Sequence, residues 1–350
     1  MKVVILHLDG MGFDYFKRSD LKFVKDLPGC LFRIKVYPSF FGNEASLFTG
    51  MSQDKHKMSD LFIYNPSNVP FKNNILFDLL PGKFLKYLAY LYGYTTYIDI
   101  NLPKSKYKKF VPVSKEQAHD SAFSFLTILR QRGFAVKHIK SKKFSFNSIK
   151  NEIMKNDCVY AVNLTYDKLL HKGGINKKIK TNIDSMIETL HKFLANNFGD
   201  NFYLILLSDH GMINTKGKIR LEFDPKNLYF VDSTILRIWT NNEHFRIQSK
   251  NIKLYESKIL GSNYRYNYYR KYVAKPGFIF SPNFFQGENF VNGMHGYDDT
   301  LSNHDAFLLI HSPRYNARLE TRGVIQNVAP TILSLFGIKK PSFMNGKVMI

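Results

Sequence analysis

Six side chains able to bind metal stand beside glycine or at the ends of apolar runs. They are Asp9 in VVILHLDGMG, Asp167 and His171 in NLTYDKLLHKGG, Asp209 and His210 in LILLSDHGM, and His295 in NGMHGYDD. Carboxylate oxygens and imidazole nitrogens are hard or borderline ligands, and six of them suffice for two divalent cations. Asp209 and His210 follow an apolar run directly, and a buried pair of this kind is costly unless it is bound to something. The other positions are more ambiguous. An Asp-Gly such as Asp9-Gly10 is also an ordinary turn. Asp167 and His171, four apart, share a helix face as one ion's ligands or as an incidental solvated pair. His295, flanked by glycines, also reads as an open loop residue. The chemistry that the whole set supports is two-metal hydrolysis, above all of phosphoesters.

Such ligands need strands to hold them. Short aliphatic runs recur at 3–8, 94–98, 158–164, 202–207 and 306–311, each bounded by turn residues or charge. Their length and unbroken apolarity predict strands buried on both faces, the pattern of a parallel sheet. Helical patterns lie between them. The segment 114–133 opens on a Ser/Glu capping pair and ends in basic residues before Gly133. The segment 176–199 places Ile179, Ile183, Met186, Ile187, Leu190 and Leu194 on one face. The expected fold class is therefore α/β, with helices layered on a central, mostly parallel sheet. Residues 216–292 differ in texture, with turn clusters and alternating segments such as FVDSTILRIW, and read as an inserted β-rich or mixed region for substrate recognition. Residues 1–215 and 293–350 then form the catalytic core.

Composition bounds the partners. The chain has 350 residues, 50 Lys and Arg against 28 Asp and Glu, and a formal charge of +22, which favours anionic partners. Its two cysteines, Cys30 and Cys158, have no metal-site or disulfide-framework spacing, which suits a reducing compartment. The sequence shows neither a leader pattern nor an apolar run of the roughly 20 residues that span a bilayer. The expected location is cytoplasmic, with a basic surface suited to an anionic membrane face. Four basic stretches carry aromatics or neighbour them: 104–110, 137–143, 177–180 and 263–272. Nucleic acid is not expected as a specific partner, because lysine dominates and no recognition motif is present. The stretches read as solvated faces, with 263–272 placed to line an anionic substrate's cleft.

The order of motifs adds a further reading. LDGMG, PSFFGNEASLFTGMSQDKH, D-x-x-x-H at 167–171, SDHGM and GMHGYD, closing on GVIQNVAPTILSLFGI, resemble the alkaline phosphatase superfamily. The nearest branch is similar to the type I phosphodiesterase and nucleotide pyrophosphatase family, and the match spans nearly the whole chain apart from 216–292. The resemblance implies a three-layer α/β/α core with a large central sheet. It implies one metal on Asp167, His171 and His295 and a second on Asp9, Asp209 and His210, usually zinc, with a Thr or Ser oxygen completing the second site. Three imidazoles with three carboxylates suit zinc better than magnesium, and leave manganese or iron open. Asn43 matches an Asn that hydrogen-bonds a phosphate oxygen in the family; it also reads as a helix cap. His56 matches a histidine of structural role, followed in the family by glycine where this chain has Lys57.

The sequence departs from the family at the nucleophile. The expected hydroxyl falls at or near Phe40 or Phe41, neither of which can attack phosphorus. Ser39, one or two positions early, is the candidate, activated by the second metal. Its alternative is an ordinary turn residue, with direct attack by a metal-bound hydroxide or with catalysis lost. Ser46 and Thr49 read as helix residues behind the loop. The expected activity is hydrolysis of a phosphodiester or pyrophosphate bond, with a nucleotide or nucleotide-sugar as substrate. The rivals are phosphotransfer to an alcohol and a degenerate metal- and anion-binding protein. The Cys-x-Pro-x-Arg pattern of sulfatases is absent. His7, His119, His138, His191, His304 and His311 read as surface or packing residues.

Overall fold

The computed structural model describes residues 1–58, 118–119, 121–140, 145–175, 182–222, 224, 226–260, 265–283, 285–298, 300 and 304–350. It adds the backbone of two short paired strands, β3 (Phe62–Tyr64) and β4 (Phe110–Pro112). The strand expected at 94–98 lies outside the described residues.

The central sheet has seven strands: β1 (Lys2–Leu8), β2 (Gly29–Lys35), β5 (Val136–Lys140), β6 (Cys158–Asn163), β7 (Phe202–Leu207), β16 (Ala306–His311) and β17 (Arg318–Val324). Their order is β17-β2-β16-β7-β1-β6-β5. Every neighbouring pair is parallel except those of β16, which runs antiparallel to β2 and β7. The apolar run at 306–311 thus gave the strand and its burial, but not its direction. Burial on both faces looks the same in either orientation.

Alternation along β1 builds two cores. Val4, Leu6 and Leu8 face a cluster that includes helix residues Phe16, Ile149, Ile153, Leu170, Ile187 and Leu194. Val3 and Ile5 face the other side, with Leu47, Phe48, Leu126, Leu129, Ile332 and Leu333. Strand side chains alternate between faces, so one apolar run supplies both cores and requires a helical layer on each. The result is a three-layer α/β/α fold.

Two helices differ from expectation at their starts. The helix within 114–133 spans Phe125–Gln131, after a turn at 121–124, and the Ser124 hydroxyl accepts the Leu126 N–H at 3.3 Å. A local serine cap sets that start, and the capping pair near 114 lies outside the described residues. The helix within 176–199 spans Ile183–Phe198 and buries Ile183, Ile187, Leu190 and Leu194; Ile179 is outside the described residues.

Beyond β7 come β8 (Ile213–Asn214) and β9 (Gly217–Ile219). An antiparallel sheet follows, made of β10 (Leu228–Val231), β11 (Ile235–Thr240), β12 (Ile252–Ile259) and β13 (Tyr268–Ala274) in the order β10-β11-β13-β12. β14 (Phe278–Phe280) pairs with β9, and β15 (Gly293–Met294) with β8. One face of the antiparallel sheet, with Leu236, Ile238 and Tyr272, packs on Met294 and Tyr297 beside His295. Among the described residues no helix is long and apolar enough to cross a membrane.

Candidate metal centre

Three adjacent parallel strands, β7, β1 and β6, end at one edge of the sheet, with Leu8 level with Asn163 and His7 level with Leu207. Asp9 follows β1 directly. Asp209 and His210 follow β7 after Ser208. Asp167 and His171 occupy successive turns of the helix Thr165–Gly173 after β6. Ligand sites of α/β sheets form at such carboxyl ends, where the loops diverge. The antiparallel pairing of β15 with β8 returns His295 to the same place. The structure thus brings all six sequence-selected donors into the lining of one 180 Å³ cavity, together with Phe40, Phe285, Gln286 and Met294.

The glycines flanking these motifs allow the close approach. Gly10 has φ +74°, a left-handed conformation, and a Cβ there would lie 2.8 Å from the Asp167 Cα. A Cβ on Gly12 would lie 2.5 Å from the Gly211 Cα, so the loops after β1 and β7 touch backbone to backbone.

At the cavity and beside it, three sets of donors have their ligand atoms within 4.8 Å of one another: Asp167–His171–His295, His7–Asp9–Asp209, and Asp9–Asp167–His210. His210 Nε2 is 3.4 Å from Asp9 Oδ1 and 3.6 Å from Asp209 Oδ2. His171 Nε2 is 3.1 Å from Asp167 Oδ1. The opposite nitrogens of both rings meet backbone carbonyls: His171 Nδ1 at Gly293 O, 2.8 Å, and His210 Nδ1 at Gly211 O, 3.0 Å. A carbonyl fixes Nδ1 as the N–H and turns the Nε2 lone pair toward the carboxylates, the orientation that metal-binding histidines require. The His210 and His295 rings stack at 3.7 Å, and His295 Nδ1 is buried without a hydrogen-bond partner.

Charge is unevenly shared. Burial opposes protonation of His171 and His210, but Asp167 for the first, and Asp209 and Asp9 for the second, raise both above the ordinary histidine value. Burial, then His210 and His171, push His295 well below it. Asp167 is held low despite burial, chiefly by His171. Imidazole nitrogens and carboxylates facing one cavity fit divalent metal ions, whose binding would displace these protons.

His7, beside the site, is the residue that the sequence reading passed over. It is a mid-strand histidine taken for packing, and it is indeed buried, yet its Nε2 lies 3.1 Å from Asp209 Oδ1 and its Nδ1 lies 2.8 Å from the Tyr160 hydroxyl. The signal was its position two residues before Asp9. Side chains at that separation share a face, but the neighbour across it is visible only once β1 and β7 are paired.

Ser39 and Asn43 sit differently from the six donors. The buried Ser39 Oγ accepts the Gly42 N–H at 2.6 Å and the Phe41 N–H at 3.2 Å, at the start of the helix Gly42–Thr49. Asn43 accepts the Tyr37 N–H and donates to the Tyr37 carbonyl, 2.8 and 2.9 Å. Neither is among the residues lining the cavity; Phe40 takes that place, its ring 4.8 Å from His295 and 4.9 Å from Phe285. His56 binds Ser46 Oγ at 3.0 Å, and Thr49 donates to Ala45 O at 2.7 Å.

No protein-family model matches the chain, and no curated protein matches it by sequence. Solved structures do match. Murine ectonucleotide pyrophosphatase / phosphodiesterase 5 aligns with a TM-score of 0.70 at 17% identity, over 99% of this chain and 98% of that one. An inactive threonine-to-alanine variant of the murine protein in complex with AMP gives the same values. The human protein aligns with a TM-score of 0.69 at 17% identity, over 99% and 97%. The likeness is one of fold. It agrees with the α/β/α core that the motif order implied.

Proposed function

We propose that this chain is a metal-dependent hydrolase of phosphodiester or pyrophosphate bonds. The observation that carries the reading is the convergence of six donors from separate segments on one cavity at the carboxyl edge of the sheet. Divalent cations held there would polarise a phosphoryl oxygen and ease deprotonation of an attacking hydroxyl or water. In this reading Asp167, His171 and His295 hold one ion, and Asp9, Asp209 and His210 the other, with zinc favoured by the mixed nitrogen and oxygen set. His7 holds Asp209. Gly293 O and Gly211 O hold the two imidazoles. Phe40 and Phe285 form an apolar wall that excludes water beside His295. The β-rich region 216–292 would select the substrate, an anion suited to the +22 charge, such as a nucleotide or nucleotide-sugar.

Ser39 is the proposed attacking group. Backbone N–H groups already surround its oxygen and would stabilise developing negative charge. To attack, the oxygen would give up its proton to solvent, keep the backbone N–H groups, and form its bond to phosphorus as the bond to the leaving alkoxide breaks. It would have to pass the Phe40 ring to do so, while Asn43 keeps the loop fixed through Tyr37.

A second reading is favoured by that same geometry. With Ser39 engaged as a cap and Phe40 in the cavity lining, the fold would bind metal and anion without covalent catalysis. Turnover of bis-p-nitrophenyl phosphate and UDP-sugars in Zn²⁺ or Mn²⁺, beside metal analysis, separates the two. Hydrolysis by the wild type, with none in Asp209→Ala and retained metal but at least 100-fold lower kcat in Ser39→Ala, is the expected result. Bound metal with no wild-type turnover supports the binder instead.

A further inference from the structure

A second cavity, of 300 Å³, shares no lining residue with the metal centre. It lies between the short helix Gln53–His56 and the sheet strands β12 and β13, with Tyr37 from the start of the Ser39 loop at its wall. A Cβ on Gly42 would meet both Gln53 Nε2 and Ser39 Oγ, so this cavity sits behind the loop whose Phe40 faces the metal ligands.

Its lining is constructed from unusual elements. Lys271 of β13 is only 3% exposed. Its ammonium lies 5.6 Å from the centre of the Tyr255 ring, and no carboxylate among the described residues pairs with it. Lys271 lines the cavity, and an anion there would supply the counter-ion that the described residues do not.

The edge strand β12 carries a bulge here. Leu254 pairs with Tyr272 and Glu256 with Lys271, which leaves Tyr255 as the extra residue. Regular alternation would send Tyr255 and Glu256 to opposite faces; the bulge lets both reach the cavity, beside Lys258. Glu256 is neutralised by an ion pair with Lys258. Asp54, on the exposed side, is held below the usual carboxylate range chiefly by a hydrogen bond from the Ser52 side chain, with Lys57 and Lys55 adding to it.

Lys57 is the third element. Among the described residues it is the one non-glycine with positive φ, at 59°, in the left-handed region that glycine occupies without strain. The chain accepts a lysine at a position shaped for glycine, and that lysine lines the cavity. Backbone strain of this kind concentrates where function retains the side chain.

We propose that this cavity is a second anion site, distinct from the metal centre, which binds a phosphate-class group on Lys271 and Lys57 with Tyr255 alongside. The test is calorimetric titration with inorganic pyrophosphate in excess EDTA, where divalent cations play no part and failure of the hydrolase reading has no bearing. One saturable site per chain is expected, weakened at least tenfold in Lys271→Met and several-fold in Lys57→Gly. Lys57→Gly relieves backbone strain, so its loss of affinity cannot arise from misfolding, and it decides the matter should Lys271→Met fail to fold. Parallel titration with AMP separates a nucleotide-borne phosphate, which gains from the Tyr255 ring, from a free anion. Only weak, non-saturating binding, or equal affinity in wild type and Lys57→Gly, overturns the site.

Discussion

At the residue scale, Asp209 and His210 were legible because they break a local rule, whereas Asp9, Asp167, His171 and His295 have ordinary alternatives and stood out through the order of their motifs. Asp209 and His210 follow five apolar residues where nothing polar should be buried, and the structure buries both at the cavity. His7 broke no rule, since a lone histidine in a strand is most often a satisfied core residue. Its contact with Asp209 makes a specific prediction. If His7 orients that carboxylate, His7→Ala lowers zinc affinity roughly 10–100-fold, as loss of an outer partner commonly does, and Tyr160→Phe has a smaller effect in the same direction. Competition against a chromophoric chelator measures both, and unchanged affinity in His7→Ala removes the role. Ser39 shows the opposite limit. Its type and neighbourhood suggested a nucleophile, but whether its hydroxyl faces phosphorus or the helix is a rotamer question that sequence cannot pose.

At the element scale, the apolar runs predicted strands because burial on both faces leaves no polar position. Boundaries were less legible where a local signal interrupts a longer pattern, as the turn at 121–124 and the Ser124 cap do between the helical Ala118–His119 and Phe125–Gln131. The contact between Gly12 and Gly211 is a property of two elements together. A Cβ on Gly211 would lie 2.9 Å from the Gly12 Cα and 2.9 Å from the His304 carbonyl, both backbone atoms that cannot rotate away. Gly211→Ala therefore separates the loops carrying Asp9 and Asp209. The expected loss exceeds about 1 kcal/mol, visible as a lower urea midpoint, with weaker metal binding in the same variant. An unshifted midpoint would show that the loops tolerate the spacing.

At the scale of the whole molecule, buried histidines set the response to acid. Burial lowers His56 to about 4, and burial with His191 and Arg318 nearby lowers His311 to about 4, both from 6.5. Between pH 6.5 and 4 the unfolded chain binds protons that the native state refuses, so stability is lost as pH falls through that window. Asp305 acts in the other direction: burial raises it from 3.8 to about 7, so it favours the native state at lower pH across that range. Outside the metal centre, His304, lowered to about 4 by burial and by His210, and His191, lowered by burial, act as those two histidines do. Four groups against one predict a net decline on acidification, steeper in Asp305→Asn and shallower in His311→Gln. Urea denaturation at pH 7 and pH 5 checks the sign; stability independent of pH in all three proteins would contradict it.

The sequence by itself determined which residues have metal-binding chemistry, that they follow buried strands, and that helices must cover both faces of a sheet. These are local consequences of residue type and periodicity. Only the tertiary structure decided the antiparallel direction of β16, the partnership of His7 with Asp209, the engagement of Ser39 with backbone N–H groups, and the cavity where Lys57 and Lys271 meet. Each depends on contacts between segments far apart in the chain, and no spacing along the sequence encodes which of them will touch. The six donors belong to both accounts: their types are local facts, but their convergence on one cavity arises from the adjacency of β7, β1 and β6 and from the pairing of β15 with β8.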